Sequence, residues 1–211
     1  PQKRERVFIV GFRSDLGIEW AFPRPSHSLD ALWYSQWISG EYWDRHSISK
    51  RRRPELPSRL ETRIRKLADW NLVALEKPWR TVRDALADIP DPRKCVDPIL
   101  YNHTFQDGAK TYPGHTGSPL DLPAKTLKAG DHGVPGGENM MVRDDGTVRY
   151  FTARESARLQ TFPDGYLFRG SWSEIMRQLG NAVPVALGRC VAASVAQRLA
   201  EAGLRRLEQK P

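Results

Sequence analysis

Two short segments near opposite ends of the chain carry groups suited to binding polar ligands. Near the N-terminus, Gln2, Arg4 and Arg6 alternate with other residues just before an apolar run. Alternate residues of an extended strand share one face, so two guanidinium groups and an amide would form a planar donor array. This array suits a carbonyl oxygen, a carboxylate or a phosphate. Ordinary surface charge at the start of a strand is the alternative explanation.

The second segment is Gln178-Leu-Gly-Asn-Ala-Val-Pro184. Its residue types predict that Gly180 caps one helix and that Pro184 opens the next. This turn would expose the amide of Asn181 beside free backbone N–H groups at a helix N-terminus, which suits a polar or anionic ligand. A plain helix-to-helix turn capped by Asn181 is the alternative.

A third segment places Thr126 and Leu127 just before a glycine-rich stretch that spans 130–137. Glycine lets the backbone approach another surface closely, and a threonine hydroxyl can hydrogen-bond to base edges. Lys128 adds a cation. These features are compatible with a DNA contact, but on residue types alone they favour a flexible surface loop.

The net charge of +8 is concentrated between Arg45 and Lys66, where nine basic and two acidic residues give a local net charge of +7. Clustered positive charge of this kind indicates a polyanionic ligand, with DNA phosphates the leading candidate. Arg51, Arg52 and Arg53 form its centre. A solvated basic loop would have the same composition.

Apolar periodicity and turn residues predict the elements that position these segments. The N-terminal half is expected to contain a buried strand at Arg6–Phe12, a helix at Leu29–Ile38, an amphipathic helix from Ser58 with Leu60, Ile64 and Leu67 inward, and a helix at Thr81–Asp88 capped by Thr81. Residues 102–146 are rich in Gly, Pro, Asp, Asn and Thr, which favours loops and short strands.

Regular structure is predicted again from Thr147. The pattern indicates a strand at Val148–Phe151, two capping boxes (Thr152 with Glu155, Ser171 with Glu174), and a long helix from Pro184 to near Gly203 with Leu187, Val191, Val195 and Leu199 on its apolar face.

Composition excludes several classes of protein. No apolar run approaches the roughly eighteen residues of a membrane span, which predicts a soluble, cytoplasmic protein without a membrane partner. Cys95 and Cys190 are the two cysteines, too few for a disulfide scaffold, and we expect both to be structural, with Cys190 inside a core helix. The five histidines are scattered, so no metal site is predicted.

Three segments resemble the C-terminal half of DNA cytosine-5 methyltransferases, and in the order found in that family. They are Pro1–Arg13, Arg149–Asp164 and Arg177–Pro184. The resemblance implies a mixed α/β fold: the C-terminal part of an S-adenosylmethionine-dependent methyltransferase fold plus a small, loop-rich target-recognition domain. It divides the chain into 1–16, a strand or hairpin of the catalytic domain; 17–147, the target-recognition domain; and 148–211, a helical segment returning to the catalytic domain.

The resemblance also implies roles for particular residues. Arg6 would donate to O2 of a cytosine flipped out of double-stranded DNA, with Arg4 and Gln2 in support. The S-adenosylmethionine contact falls to Asn181, with smaller parts for Gly180 and Ala182. The DNA contacts would come from Thr126, Leu127, Lys128, Arg51, Arg52 and Arg53.

Two features of the family are not found in these residues: a Pro-Cys motif with the nucleophilic cysteine, and a glycine-rich cofactor loop between strand and helix. The reaction needs a thiolate that adds to the cytosine ring. We therefore expect an N-terminal half, in cis or as a separate subunit, without which the chain is inactive. A bacterial restriction-modification enzyme is the expected setting. A non-catalytic, sequence-specific DNA-binding module is the alternative.

Overall fold

The computed structural model describes residues 1–69, 76–94, 100–129 and 139–208, with side chains to 203. The expected glycine-rich stretch at 130–137 and Cys95 lie outside these ranges. The helices are α1 (Leu29–Trp37), α2 (Glu41–Arg45), α3 (Ser58–Asp69), α4 (Val82–Leu86), α5 (Ala153–Leu159), α6 (Trp172–Asn181) and α7 (Val185–Glu208). The strands are β1 (His27–Ser28), β2 (Lys77–Pro78), β3 (Ser118–Pro119), β4 (Met140–Val142) and β5 (Val148–Tyr150). The chain thus has the expected mixed α/β character.

Three helices begin at the caps that the sequence predicts. In each, the cap hydroxyl accepts a hydrogen bond from the third helical N–H, and the acidic side chain at that position accepts one from the N–H of the cap. This reciprocal arrangement satisfies two N–H groups that have no partner inside the helix. The pairs are Thr81 with Asp84, Thr152 with Glu155, and Ser171 with Glu174.

Helices α1 and α2 enclose a small core, and α3 packs against α1. Leu32, Tyr42 and Trp43 are buried there, and Trp43 donates its indole N–H to the carbonyl of Gln36 at 2.6 Å. Helix α3 turns Ile64 and Leu67 inward and its basic side chains outward, as its amphipathic pattern predicts. The helical part of the basic segment, residues 45–66, is therefore anchored by apolar contacts and presents its cations to solvent.

The larger core joins α4, α5 and α6 to the sheet in which β4 pairs with β3 in parallel and with β5 in antiparallel orientation. Phe151, Ala157, Met176 and Leu179 are fully buried in it. Between 102 and 129 the chain has one short strand, β3, consistent with the predicted loops.

Buried charges organise the region around α5. Arg149 donates two hydrogen bonds to Glu155, at 2.7 and 2.5 Å, and the Glu155 side chain is 1% exposed. Arg154 donates to the carbonyls of Tyr101, Pro163 and Tyr166. These contacts tie α5 to the chain segments before and after it. The carboxylate of Glu155 is thus paired with an arginine of β5.

The predicted strand at Arg6–Phe12 does not form. Val7 and Ile9 are 89% and 93% exposed, and no described strand pairs with them. A strand needs a neighbour to satisfy its backbone groups, and an apolar run alone does not supply one. Pairing is confined to the first residues, where Gln2 bridges Ala124 in parallel orientation.

Helix α7 differs from its prediction in three respects. It extends to Glu208 rather than ending near Gly203, its apolar Leu187 and Leu199 are 38% and 45% exposed, and Cys190 is exposed instead of lying in a core. The interval Trp172–Gly203 is long and apolar enough to qualify as a candidate membrane span. It comprises two helices separated at Pro184, and a single interval of this kind is weak evidence for membrane insertion.

Gly180 lies inside α6 rather than at its cap, which is Ala182. A Cβ atom at Gly180 would approach the backbone of Lys128 and Ala129 to within 2.5–2.7 Å. Non-bonded heavy atoms are not tolerated at that separation. The position is thus occupied by glycine because a second backbone segment crosses the helix there.

We expect Gly180→Ala to destabilise the fold by about 1–3 kcal/mol or more, since the added methyl group overpacks against backbone that has no rotamer to change. The measurement is urea or thermal unfolding. Gly188→Ala is the matched control, because Gly188 is also helical but its added Cβ would lie 3.7 Å from the nearest atom. Equal stability of the two variants would contradict the packing argument.

Candidate functional site

The first residues of the chain lie along the strap, which we define as residues 118–129. Lys3 donates its N–H to the carbonyl of Ala124 at 2.8 Å, and Ala124 donates its N–H to the carbonyl of Pro1 at 2.9 Å. The hydroxyl of Thr126 donates to the carbonyl of Lys3 at 2.6 Å. Two sequence-predicted segments, more than 120 residues apart, are therefore in direct contact.

Arg4 joins these two segments to the third. Its guanidinium donates to the carbonyls of Gly180 at 2.6 Å and Ala182 at 2.9 Å, and to that of Leu127 at 3.4 Å. The last carbonyls of a helix have no partner within the helix, so Arg4 satisfies groups at the end of α6 and places positive charge where the helix dipole favours it. Burial, followed by repulsion from Arg6, lowers the pKa of Arg4. Arg4 acts as a structural clamp here.

Gln2 and Arg6 have different environments, although the sequence predicts one shared face. Both amide atoms of Gln2 are buried and find no hydrogen-bond partner among the described residues. Arg6 is exposed and donates to the carbonyl of Glu5 at 2.6 Å. Of the three side chains, Arg6 alone presents its charged end at the surface.

The turn between α6 and α7 also differs from expectation. The N–H of Val185 donates to the carbonyl of Gln160 at 2.9 Å, and the N–H of Ala186 donates to the hydroxyl of Thr161 at 2.8 Å. These two groups at the start of α7 are therefore not free for an anionic ligand. The predicted open helix N-terminus is wrong in that respect, because α5 ends against α7.

The three residues predicted to contact a cofactor are placed differently. Gly180 is buried against the strap and the carbonyl of Ala182 is bound by Arg4. Asn181 is exposed, and its amide forms no hydrogen bond within the described ranges. Of the three, Asn181 is thus the residue with an exposed polar side chain, while Gly180 and Ala182 are held by the fold.

The three strap residues predicted to contact DNA also differ in the exposure of their side chains. Leu127 is 1% exposed and packs in the larger core, which leaves no side-chain surface to offer DNA. Thr126 is partly exposed, but its hydroxyl proton is used by Lys3. Lys128 is exposed. A contact from this strap would come from Thr126 and Lys128.

Ion pairs divide the nine cations of the basic segment into two groups. Arg45, Arg52, Arg53 and Arg63 pair with Asp84, Asp144, Asp44 and Asp30 respectively. No ion pair forms, within the described part of the chain, for the five exposed cations Lys50, Arg51, Arg59, Arg65 and Lys66. These five provide a surface of uncompensated positive charge.

Within the central arginine triplet the roles differ. Arg53 has a side chain 22% exposed and donates to the carbonyl of Ile48 at 3.3 Å and to Asp44 at 2.5 Å. Arg51 is exposed and unpaired among described residues, while Arg52 makes one long contact. Arg53 thus supports the local fold, whereas Arg51 is available to a ligand.

Sequence reasoning missed a polar network around Arg83 and Tyr42. Arg83 of α4 pairs with Asp121 of the strap at 2.7 Å and with Asp144, in the turn between β4 and β5, at 2.5 Å. The buried hydroxyl of Tyr42 lies 2.9 Å from both Asp121 and Thr81. Burial, followed by the charge of Asp121, raises the pKa of Tyr42. These residues are distant in sequence, so spacing gave no signal of their contact.

No group of three or more potential metal ligands occurs among the described residues. The candidate site consists of polar side chains and backbone groups: Arg4 is bound by carbonyls, while the side chains of Arg6 and Asn181 are exposed.

Comparison with known proteins identifies the family of the chain. A family model described as C-5 cytosine-specific DNA methylase matches residues 1–197. The chain is 30% identical over 94% of its length to the Type II methyltransferase M.PspPI of Psychrobacter sp., and 30% identical over 94% to M.Eco47II of Escherichia coli. It is 29% identical over 87% to M.NgoFVII of Neisseria gonorrhoeae.

In each comparison the chain spans 43% of the relative's length. The family match covers most of the chain and includes all three segments joined by Arg4. The chain belongs to the C-5 cytosine-specific DNA methylase family.

Proposed function

We propose that this chain is the C-terminal portion of a DNA cytosine-5 methyltransferase that recognises duplex DNA, contacts the target cytosine and completes part of the S-adenosylmethionine site. The observation that carries the proposal is the Arg4 clamp. It holds the N-terminal segment, the strap and the end of α6 together, and it leaves the heads of Arg6 and Asn181 exposed.

The exposed guanidinium of Arg6 and the exposed amide of Asn181 each have a proposed role. A guanidinium donates but does not accept, so Arg6 suits the carbonyl oxygen O2 of a flipped cytosine. The amide of Asn181 both donates and accepts, which suits the polar edge of S-adenosylmethionine. When bound, that cofactor would supply the methyl group. Gly180 and Ala182 would position Asn181, as Arg4 and Gln2 would position Arg6.

A second polypeptide segment is part of this proposal. No cysteine in the chain lies in a Pro-Cys motif, so the nucleophile would come from an N-terminal half, in cis or as a separate subunit. The exposed apolar residues Val7, Ile9 and Leu187 are the surface that this half would cover. We further propose a cytoplasmic, bacterial enzyme of a restriction-modification system, since the named relatives are Type II methyltransferases.

The alternative function is sequence-specific DNA binding without catalysis. It is favoured by the basic segment, which lies on the α2–α3 unit apart from the clamp. The two functions differ in what they require of Arg6, which catalysis needs and simple binding does not.

The deciding experiment measures transfer of labelled methyl from S-adenosylmethionine to mixed-sequence duplex DNA, first with this chain and then after addition of an N-terminal half from a relative. We expect activity only on mixing. Inactivity of both samples, with selective DNA binding by the chain, would favour the binding module.

In the mixed sample, Arg6→Ala should reduce methyl transfer by about 100-fold or more while DNA affinity changes little, because its partner is the flipped base rather than a phosphate. Lys3→Ala is the matched control: it removes one exposed charge from the same segment, and the contacts formed by Lys3 use its backbone. Equal losses of affinity and activity in Arg6→Ala would indicate a phosphate contact.

DNA affinity should fall steeply with salt. If the five unpaired cations of the basic segment each neutralise one phosphate, the slope of log affinity against log salt should be about −4.5. Arg51→Ala should reduce the magnitude of that slope by about 1. Arg53→Ala should lower thermal stability with a smaller change of slope, since Arg53 is paired within the fold. A slope near zero in the unsubstituted chain would exclude this surface as the DNA contact.

Thr126→Val should lower discrimination at one base pair by about 1–3 kcal/mol if Thr126 reads a base edge. Thr126→Ser, which keeps the hydroxyl bonded to Lys3, should retain more of the discrimination than Thr126→Val. The measurement is binding to a set of duplexes that differ at single positions. A uniform loss of affinity over all sequences would indicate that Thr126 only holds the N-terminal segment in place and does not read a base.

A further inference from the structure

Asp144 lies between two arginines of different kinds. Arg83 binds it at 2.5 and 3.2 Å through two nitrogens, with a side chain 16% exposed. Arg52 binds it at 3.4 Å with a side chain 67% exposed. The carboxylate therefore has one strong, largely buried partner and one weak, exposed partner.

The strong partner fixes the position of Asp144. Arg83 also binds Asp121 of the strap, at 2.7 and 3.2 Å, so it ties the β4–β5 turn to the strap and α4. Hydrogen bonds from Arg83 lower the pKa of Asp144, so the carboxylate stays charged at neutral pH. Asp144 remains compensated by Arg83 when Arg52 leaves.

The weak partner is free to exchange. An exposed ion pair at 3.4 Å stabilises little, and a DNA phosphate can replace the carboxylate as an acceptor for Arg52. Arg52 is adjacent to Arg51, one of the five unpaired cations, so a phosphate bound by Arg51 would lie within reach of its neighbour.

Resting on the proposed DNA-binding function, we propose that Asp144 restrains Arg52 as an exchangeable phosphate-binding residue, with Arg83 as the positioning residue that holds Asp144 in place. Arg52 breaks its pair with Asp144 and binds a phosphate when DNA arrives. The competing carboxylate therefore weakens binding to any DNA by a similar factor.

The test is a double-mutant cycle on the full chain, with nonspecific duplex DNA at low salt. Asp144→Asn should raise affinity about two- to five-fold, the range that an exposed ion pair supplies. In a chain that already carries Arg52→Ala, adding Asp144→Asn should change the affinity much less, because the pair between these two residues no longer exists. The coupling between the two positions is the expected result.

Asp145→Asn is the matched control for long-range charge. It changes the net charge equally, lies next to Asp144, and bonds Thr147 rather than an arginine. The inference would be overturned if Asp145→Asn raised DNA affinity as much as Asp144→Asn does. It would also be overturned if Asp144→Asn raised affinity equally with and without Arg52, since both results would indicate a general effect of net charge.

A stability measurement completes the design. Thermal unfolding of Asp144→Asn should remain cooperative, since Arg83 keeps Asp121 as a partner. If this variant does not fold, Arg52→Gln supplies the same test. We expect it to lose less DNA affinity than Arg51→Ala, because Arg52 must first break its pair with Asp144. An equal loss in those two variants would count against the restraint. Absence of salt-dependent DNA binding in the unsubstituted chain would instead reject the underlying DNA-binding proposal.

Discussion

The crossing of the strap over the end of α6 is the constraint on which the rest of the structure depends. At Gly180 two backbones approach more closely than any side chain permits. Arg4 fastens the crossing by donating to the carbonyls of Gly180 and Ala182, which the helix leaves without partners, and to the strap at Leu127. Close backbone packing and a charged donor at a helix C-terminus reinforce each other here.

This crossing determines which residues can meet a ligand. Arg4 is occupied by carbonyls, whereas the next alternate residue, Arg6, is exposed at the surface. Because the N–H groups of Val185 and Ala186 donate to Gln160 and Thr161, just after α5, the turn after α6 exposes the side chain of Asn181 rather than a free helix N-terminus. The strap continues from the crossing to α4, where Val82 and Arg83 donate their N–H groups to the carbonyls of Leu122 and Leu120.

The folded chain also determines which cations of the basic segment are paired with carboxylates. Carboxylates compensate four of the nine cations in the basic segment, and they lie on different elements: α1, α2, α4 and the β4–β5 turn. The arginine triplet therefore consists of one residue held by the fold, one weakly held and one exposed. Net charge describes the attraction of this surface for polyanions, while the ion pairs determine which cations remain available.

Much of the local structure follows from the sequence. The capping boxes at Thr81, Thr152 and Ser171 form as predicted, since their bonds join residues three apart and need no distant partner. The same holds for the inward face of α3. The predicted strand at Arg6–Phe12 does not form, and α7 exposes Cys190, because strand pairing and burial depend on a neighbour that a local pattern does not specify.

The sequence by itself determined the helix starts, the clustering of positive charge and the motifs that indicated the methylase family. Only the tertiary structure decided that Arg4 is a clamp, that Leu127 is core, that Gly180 accommodates a crossing, and that Arg83 links Asp121 to Asp144. The physical reason is range: caps and amphipathic faces form between residues a turn or two apart, whereas these contacts join residues brought together only when the chain has folded.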